Sequence, residues 1–279
     1  MENKNNFIPY GCQSITDDDI EEVVKVLKGS LITQGKIVPA FEKSIADKVS
    51  ASYGVAVNSA TSALHISCLA LGLSKNDYLW TSPITFVSSA NCARFCGAKV
   101  DFVDVDKHTG LMSINSLKIK LKEAEDKGKL PKILIPVHLA GASCEMEEIS
   151  QLSKKYGFKI IEDASHAIGG SYKEYPVGSC KFSDLCIFSF HPVKIITTGE
   201  GGIITTNNEF LHSKLKSFRS HGIEKDSEKF EFHTNKPWIY EMQELGFNYR
   251  MNDFQAALGL SQLKRLGAII EKRNNIYEL

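Results

Sequence analysis

The sequence lacks an excess of charge of either sign: Lys plus Arg and Asp plus Glu each number 33 in 279 residues. Without a bulk field, nucleic acid and anionic membrane surfaces are not expected partners. No apolar run approaches the roughly 18 residues that a membrane-spanning helix needs. The polar start, Met1 to Asn6, has no apolar stretch behind it, so no secretory leader is expected. Internal repeats and low-complexity tracts are absent, and no G-x-x-x-x-G-K-[ST] string occurs, which excludes a P-loop. The 7 cysteines are scattered, and Cys186, within Leu185-Cys186-Ile187-Phe188, has the context of a small buried hydrophobe. An odd, dispersed set fits a reducing cytoplasm rather than a disulfide framework. Cys92 and Cys96 share a predicted helix, but no second ligand pair follows at metal-site spacing. They read as core packing, and no metal is expected.

What is present is ordinary in bulk, with 43% hydrophobic and 24% charged residues, and ordered along the chain. From about residue 40 to 220, apolar β-rich runs alternate with amphipathic helical segments. Strands are predicted at Gly54–Asn58, Tyr78–Ser82, Lys99–Asp104, Ile133–His138, Lys159–Glu162, Leu185–Phe190 and Gly202–Thr206. Helices are predicted at Ala60–Leu71, Val87–Cys96, Asn115–Lys127, Glu145–Tyr156 and Glu209–His221. This alternation implies an α/β fold whose mostly parallel sheet is covered on both faces. Ligands of such sheets bind beyond the carboxyl ends of the strands, so the residues just after each strand are the candidates for chemistry. Residues 222 to 245 break the alternation and read as a long surface excursion. Met251 to Leu279 reads as helix unbroken by proline.

Four strand ends gather polar groups. Phe188-Ser189-Phe190-His191-Pro192-Val193-Lys194 leads through Gly199, Gly201 and Gly202 into the next strand. A lysine held between two strands can form a Schiff base, although most loop lysines are simply solvated. The glycines allow close backbone approach or positive φ. Asn58-Ser59-Ala60-Thr61-Ser62 opens a helix with hydroxyls and free N–H groups, which suits a phosphate as well as a plain N-cap. Asp163, beyond Ile160-Ile161-Glu162, either caps the next turn or pairs with a cationic ring nitrogen. His166 could orient that ring or the aspartate, or serve the structure alone. In Thr81-Ser82-Pro83-Ile84-Thr85-Phe86, Phe86 is either core or a plate for a planar cofactor.

Taken together, these segments resemble the pyridoxal-phosphate (PLP)-dependent sugar aminotransferases of the DegT/DnrJ/EryC1/StrS group. The resemblance runs from about Pro9 to the end of the chain. It rests on Asn58 to His65, Asp163 to Ala167, Phe188 to Lys194, Arg219-Ser220-His221-Gly222 and Gly246-Phe247-Asn248-Tyr249-Arg250-Met251. The wording is most like the pseudaminic acid subgroup, which aminates C4 of a UDP-linked 4-keto-6-deoxy sugar. The resemblance implies the aspartate-aminotransferase type of fold, PLP fold type I. It also implies a PLP-binding large domain over residues 1–250, with 251–279 an interdomain helix that starts an incomplete, truncated small domain.

By the same resemblance, Lys194 carries the cofactor as a Schiff base and later moves a proton, and Asp163 keeps the pyridine nitrogen protonated. Thr61, Ser62 and Ser189 hold the phosphate, Phe86 stacks on the ring, and His166 lies near the ring hydroxyl. Asn248 reaches the cofactor phosphate of a neighbouring subunit, so a homodimer with shared sites is expected. L-Glutamate and a UDP-linked keto sugar are the expected substrates. The related sugar 3-dehydrases carry histidine where Lys194 stands, and His191 lies three residues too early to substitute. Alternatives are amination at C3, a dTDP-linked substrate, or a non-catalytic PLP-fold binding protein.

Overall fold

The structure, a computed structural model, describes residues 11–232, 236 and 238–279. The readings placed on Met1 to Asn6 and at Pro9 lie outside the described residues, as do positions 233–235 and 237 of the surface excursion.

In chain order the strands are β1 (Tyr53–Val57), β2 (Tyr78–Thr81), β3 (Lys99–Phe102), β4 (Ile133–Ile135), β5 (Lys159–Asp163), the short pair β6 (Ser171–Tyr172) and β7 (Tyr175–Pro176), then β8 (Leu185–Ser189), β9 (Gly202–Thr206), β10 (Ile223–Glu224) and β11 (Glu241–Met242). The helices are α1 (Asp17–Leu27), α2 (Ile37–Val49), α3 (Ala60–Ala70), α4 (Ser88–Phe95), α5 (Ile114–Asp126), α6 (Met146–Tyr156), α7 (Glu209–Arg219), α8 (Asp253–Lys264) and α9 (Leu266–Tyr277). Seven strands form the main sheet in the order β1-β9-β8-β5-β4-β2-β3. The pairs from β8 to β3 are parallel, while β9 is antiparallel to both its neighbours. The mostly parallel α/β sheet expected from the sequence is therefore present. β9 departs from it because no helix separates it from β8, and a direct return between adjacent strands reverses direction.

Apart from the edge strand β3, both sheet faces are buried, and adjacent residues go to opposite sides, as the pleat requires. Val55, Val57, Leu79, Ile133, Ile135, Ile161, Leu185, Ile187 and Ile204 pack with apolar residues of α3, α4 and α7. Their neighbours divide between two clusters on the other face. Ala56, Cys186, Phe188 and Ile203 meet α2, α8 and α9, and Trp80, Leu134 and Ile160 meet α5 and α6. β4 stops at Ile135 rather than His138 because Pro136 has no N–H for the ladder. Pairing resumes as one parallel bridge between Val137 and Asp163.

β1 is an edge strand, and side chains satisfy its outer side. Ala56 N donates to Glu42 Oε1 at 2.9 Å, and Arg219 Nη1 donates to Ala56 O at 2.9 Å. Arg219 also pairs with Glu42, and an antiparallel bridge between Val57 and Arg250 covers the end of the strand. The surface excursion contains only the two-residue hairpin of β10 and β11 as strand among the described residues.

The C-terminal segment is two helices, not the one expected. Arg265 leaves helical geometry, at φ −101° and ψ 2°. Its guanidinium reaches Asp19 Oδ2 at 2.6 Å, and Leu266 enters the core. These two anchors, not proline, set the break. α8 packs along α1 and α2, and Asp253 at its start accepts three N–H groups from the entry to α2.

Candidate active site

Lys194 sits in the connection between β8 and β9. This loop is pinned across its base, where Phe190 N donates to Gly201 O and Thr198 N donates to Phe190 O. Thr197 Oγ1 also donates to Phe190 O at 2.8 Å. From α8, Gln255 Nε2 donates to Glu200 O at 3.0 Å, and from α9, Arg273 Nη2 reaches Lys194 O at 3.4 Å. Lys194 itself is half-buried. Burial lowers its pKa from the ordinary lysine value, and the charge of Asp163 opposes that shift. A lysine so placed has more neutral amine at a given pH than a solvated one.

The glycines beyond it serve the two purposes anticipated. Gly199 adopts φ +80°. At Gly202 a Cβ would lie 2.6 Å from Ala60 N, so only glycine lets β9 run against the first turn of α3. That turn is capped by Ser59, whose Oγ accepts from Ser62 N at 3.1 Å. The N–H groups of Ala60 and Thr61 have no acceptor among the described residues. A helix start with free N–H groups and the hydroxyls of Thr61 and Ser62 is suited to an anion. Ser189, at the end of β8, is buried.

Asp163 ends β5, buried at 5% exposure. Its Oδ1 accepts from Ser165 N at 3.2 Å and Ser165 Oγ at 2.7 Å, and its Oδ2 accepts from Ser89 Oγ at 2.7 Å. His166 lies within the electrostatic reach of both Lys194 and Asp163. Burial lowers its pKa, the positive Lys194 adds to that, and Asp163 opposes it. Its Nδ1 accepts from Ala140 N at 3.3 Å, so the neutral ring carries its proton on Nε2, free to donate. Phe86 is 71% exposed, so it is not a core side chain.

The structure thus brings Lys194, Asp163 and His166 together. Asn248 lies in the chain between the surface excursion and α8. It is exposed, bridges to Ser220, and lines a concavity of about 580 Å³ with Asn58, Arg250 and Glu200. Asn58 Oδ1 is buried there without a partner. A larger concavity, of about 810 Å³, lies away from Lys194 between α1 and α8. Cys92 is core, and Cys96 packs against the same cluster. Among the described residues no group of three or more His, Cys, Asp or Glu could hold a metal. No helix among them is long and apolar enough to cross a membrane.

Two groups escaped the sequence reading. One is the Ser88–Ser89 pair, where Ser88 Oγ lies 2.7 Å from Thr61 Oγ1. Two serines opening a helix carry no signal of their own. The other is a buried pair behind Asp163: His138 Nε2 lies 2.8 Å from Glu162 Oε2, and His138 Nδ1 accepts from Cys144 N at 3.2 Å. It ties β5 to the chain after β4, on the face opposite Asp163. Only the alternation at Glu162-Asp163 hints that one carboxylate faces each way.

The donor set fits pyridoxal phosphate. Helix N–H groups and hydroxyls meet the demand of a phosphate, a buried carboxylate that of a ring nitrogen, and a half-buried amine that of an aldehyde. The DegT/DnrJ/EryC1/StrS aminotransferase family matches residues 13–279. The chain is 44% identical over 270 residues to the UDP-4-amino-4,6-dideoxy-N-acetyl-beta-L-altrosamine transaminase of Campylobacter jejuni subsp. jejuni serotype O:23/36 (strain 81-176), covering 96% of this chain and 67% of the relative. Among solved structures it is similar to Helicobacter pylori PseC, an aminotransferase involved in the biosynthesis of pseudoaminic acid. The TM-score is 0.81 at 33% identity, over 93% of this chain and 66% of that one. The PLP form of the putative sugar aminotransferase Spr1654 from Streptococcus pneumoniae gives a TM-score of 0.85 at 29% identity, over 97% of this chain and 70% of that one. The chain spans about two thirds of the length of these relatives. With the family matched over nearly its whole length, the chain belongs to the DegT/DnrJ/EryC1/StrS aminotransferases.

Proposed function

We propose that this chain carries the cofactor site of a PLP-dependent aminotransferase. The reaction moves the amino group of L-glutamate to C4 of a UDP-linked 4-keto-6-deoxy-N-acetylhexosamine. The observation that carries the reading is the placement of Asp163 at the carboxyl end of β5 and of Lys194 in the connection leaving its parallel neighbour β8, with His166 within electrostatic reach of both. The relative from Campylobacter jejuni, whose name specifies an amine on carbon 4 of a UDP-linked dideoxy sugar, supports the position and the nucleotide.

PLP, when bound, supplies an aldehyde that condenses with amines and a ring that draws electrons when its nitrogen is protonated. Lys194 attaches the cofactor through Nζ. In its neutral form, which burial favours, the Lys194 amine would take the proton from the donor Cα and would deliver it to the carbon of the cofactor that had been the aldehyde. Asp163 holds the proton on the ring nitrogen. The first turn of α3, with Thr61, Ser62 and Ser189, anchors the phosphate. His166 donates through Nε2 toward the ring hydroxyl, and Phe86 packs on the ring face. Asn248, on the outer surface, reaches the cofactor phosphate of a second subunit, so the working unit is a homodimer. Free cysteines throughout the described residues agree with the cytoplasm as its compartment.

Purified protein supplied with PLP should turn yellow, and borohydride should fix the cofactor on a peptide containing Lys194. Lys194→Ala should abolish the fixation. L-Glutamate should then convert the bound cofactor to its amine form, and a panel of UDP- and dTDP-linked keto sugars should show turnover with the UDP-linked 4-keto sugar. A protein that takes up no PLP sinks the whole reading. Uptake without a glutamate half-reaction leaves a cofactor-binding protein that is not an aminotransferase.

A further inference from the structure

We infer that Ser89 is a positioning residue that aims Asp163 at the cofactor ring, and that Asp163 Oδ2 is the oxygen that meets the ring nitrogen. The inference rests on the PLP reading above and deepens it.

A carboxylate at a strand end can turn about its side-chain bonds unless both oxygens are held. Ser165 holds only Oδ1, from two residues along the same chain, through its N–H at 3.2 Å and its hydroxyl at 2.7 Å. The second anchor comes from a distant element, with Ser89 Oγ 2.7 Å from Oδ2. Ser89 is fully buried, at 0% exposure, so water cannot readily replace its hydroxyl. The direction of the bond is set by the chemistry. A carboxylate only accepts, so the Ser89 proton points to Oδ2. Thr85 Oγ1, 2.8 Å from Ser89 Oγ, must then donate to Ser89. The result is a one-way chain from Thr85 to Ser89 to Asp163, in which each bond polarises the next.

Counting acceptor sites identifies the oxygen that remains available. An ionised carboxylate offers about two acceptor sites per oxygen. Oδ1 already takes two donors from Ser165, whereas Oδ2 takes one from Ser89. The open site is on Oδ2, and Ser89 sets where it faces. The preceding residue adds a second tie, since Ser88 Oγ lies 2.7 Å from Thr61 Oγ1 at the anion-binding turn of α3. Consecutive serines at the start of α4 therefore join the carboxylate that meets the ring to the helix that meets the phosphate. They set the spacing between the two ends of the cofactor.

The test compares the parent chain with Ser89→Ala and Thr85→Val, the latter losing a hydroxyl with little change of shape. Each is measured for PLP affinity by fluorescence titration, for the pH midpoint of the bound cofactor's visible spectrum, and for melting without PLP. Ser89→Ala should weaken PLP binding about tenfold, the effect of one hydrogen bond to a charged group. Its spectral midpoint should rise. A ring nitrogen less firmly protonated no longer opposes positive charge on the Lys194 nitrogen. Thr85→Val should move the midpoint the same way by less. A folded Ser89→Ala with parental affinity and midpoint overturns the inference while the PLP reading stands. If Ser89→Ala does not fold, an unmoved midpoint in Thr85→Val overturns it. A parent chain that binds no PLP overturns both.

Discussion

Replacing Asp253 by asparagine tests how α8 is joined to the rest of the fold. The carboxylate is fully buried. Oδ2 accepts from Gly35 N at 2.6 Å, and Oδ1 accepts from Ile37 N at 3.1 Å and Val38 N at 3.0 Å. Lys36, which precedes α2, provides no side-chain cap of its own, so Asp253 performs that task from the other end of the chain. Asparagine offers one acceptor oxygen and one donor group. In either orientation at least one N–H faces an NH₂ group and is left unsatisfied. Orphaning a buried N–H costs about 1–3 kcal/mol. Losing the negative charge at the start of α2 costs a further ~0.5–1 kcal/mol. The expected loss is therefore about 1.5–4 kcal/mol, or roughly 3–7 °C in melting temperature for a chain of this size. Thermal and urea denaturation followed by circular dichroism would measure it. A variant melting within about 1 °C of the parent would refute the claim that this carboxylate joins α8 to α2.

Gly202→Ala should weaken PLP binding severalfold in a fluorescence titration, because its Cβ would lie 2.6 Å from Ala60 N and push α3 off β9. Undiminished affinity would show that this turn does not hold the phosphate. Lys194→Met should stabilise the cofactor-free protein at neutral pH. Burial lowers the folded pKa of Lys194 below 10.5, so the cost of burying its charge is felt in full below the folded pKa. That cost fades as pH rises through the folded pKa toward 10.5. Urea denaturation at pH 7 and near pH 10.5 should therefore show a gain only at the lower pH, and an equal gain at both would point to packing instead of charge. Asn248→Ala should lower PLP affinity if two subunits share each site. Unchanged affinity in a dimer confirmed by sedimentation would remove that contact from the proposal.

Much of the fold is legible because burial leaves a local mark. β8 is a continuous apolar run and β5 is built on Ile160 and Ile161, and each ends on a polar residue, Ser189 and Asp163. The family is likewise legible from separated motifs, since each holds several residue types at fixed spacing. Other features have no local mark. Nothing in Gly202-Ile203-Ile204-Thr205-Thr206 reveals that this strand runs against its neighbours. Nothing in 251–279 shows that Arg265 would leave the helix for Asp19, because that partner is far away in sequence.

The candidate site divides the same way. Lys194, Asp163 and the Ser59 to Ser62 turn can be named from sequence because each sits where a strand gives way to a turn or helix, and that junction is a local pattern. Ser89 cannot be so named. Its role depends on β5 lying beside β4, β4 beside β2, and α4 covering that part of the sheet, which together bring its hydroxyl to Asp163. By itself, the sequence determined the chemical types at the strand ends. Strand order and helix placement decided which of them meet, because a hydrogen bond of 2.7 Å is specified by contacts between segments distant along the chain.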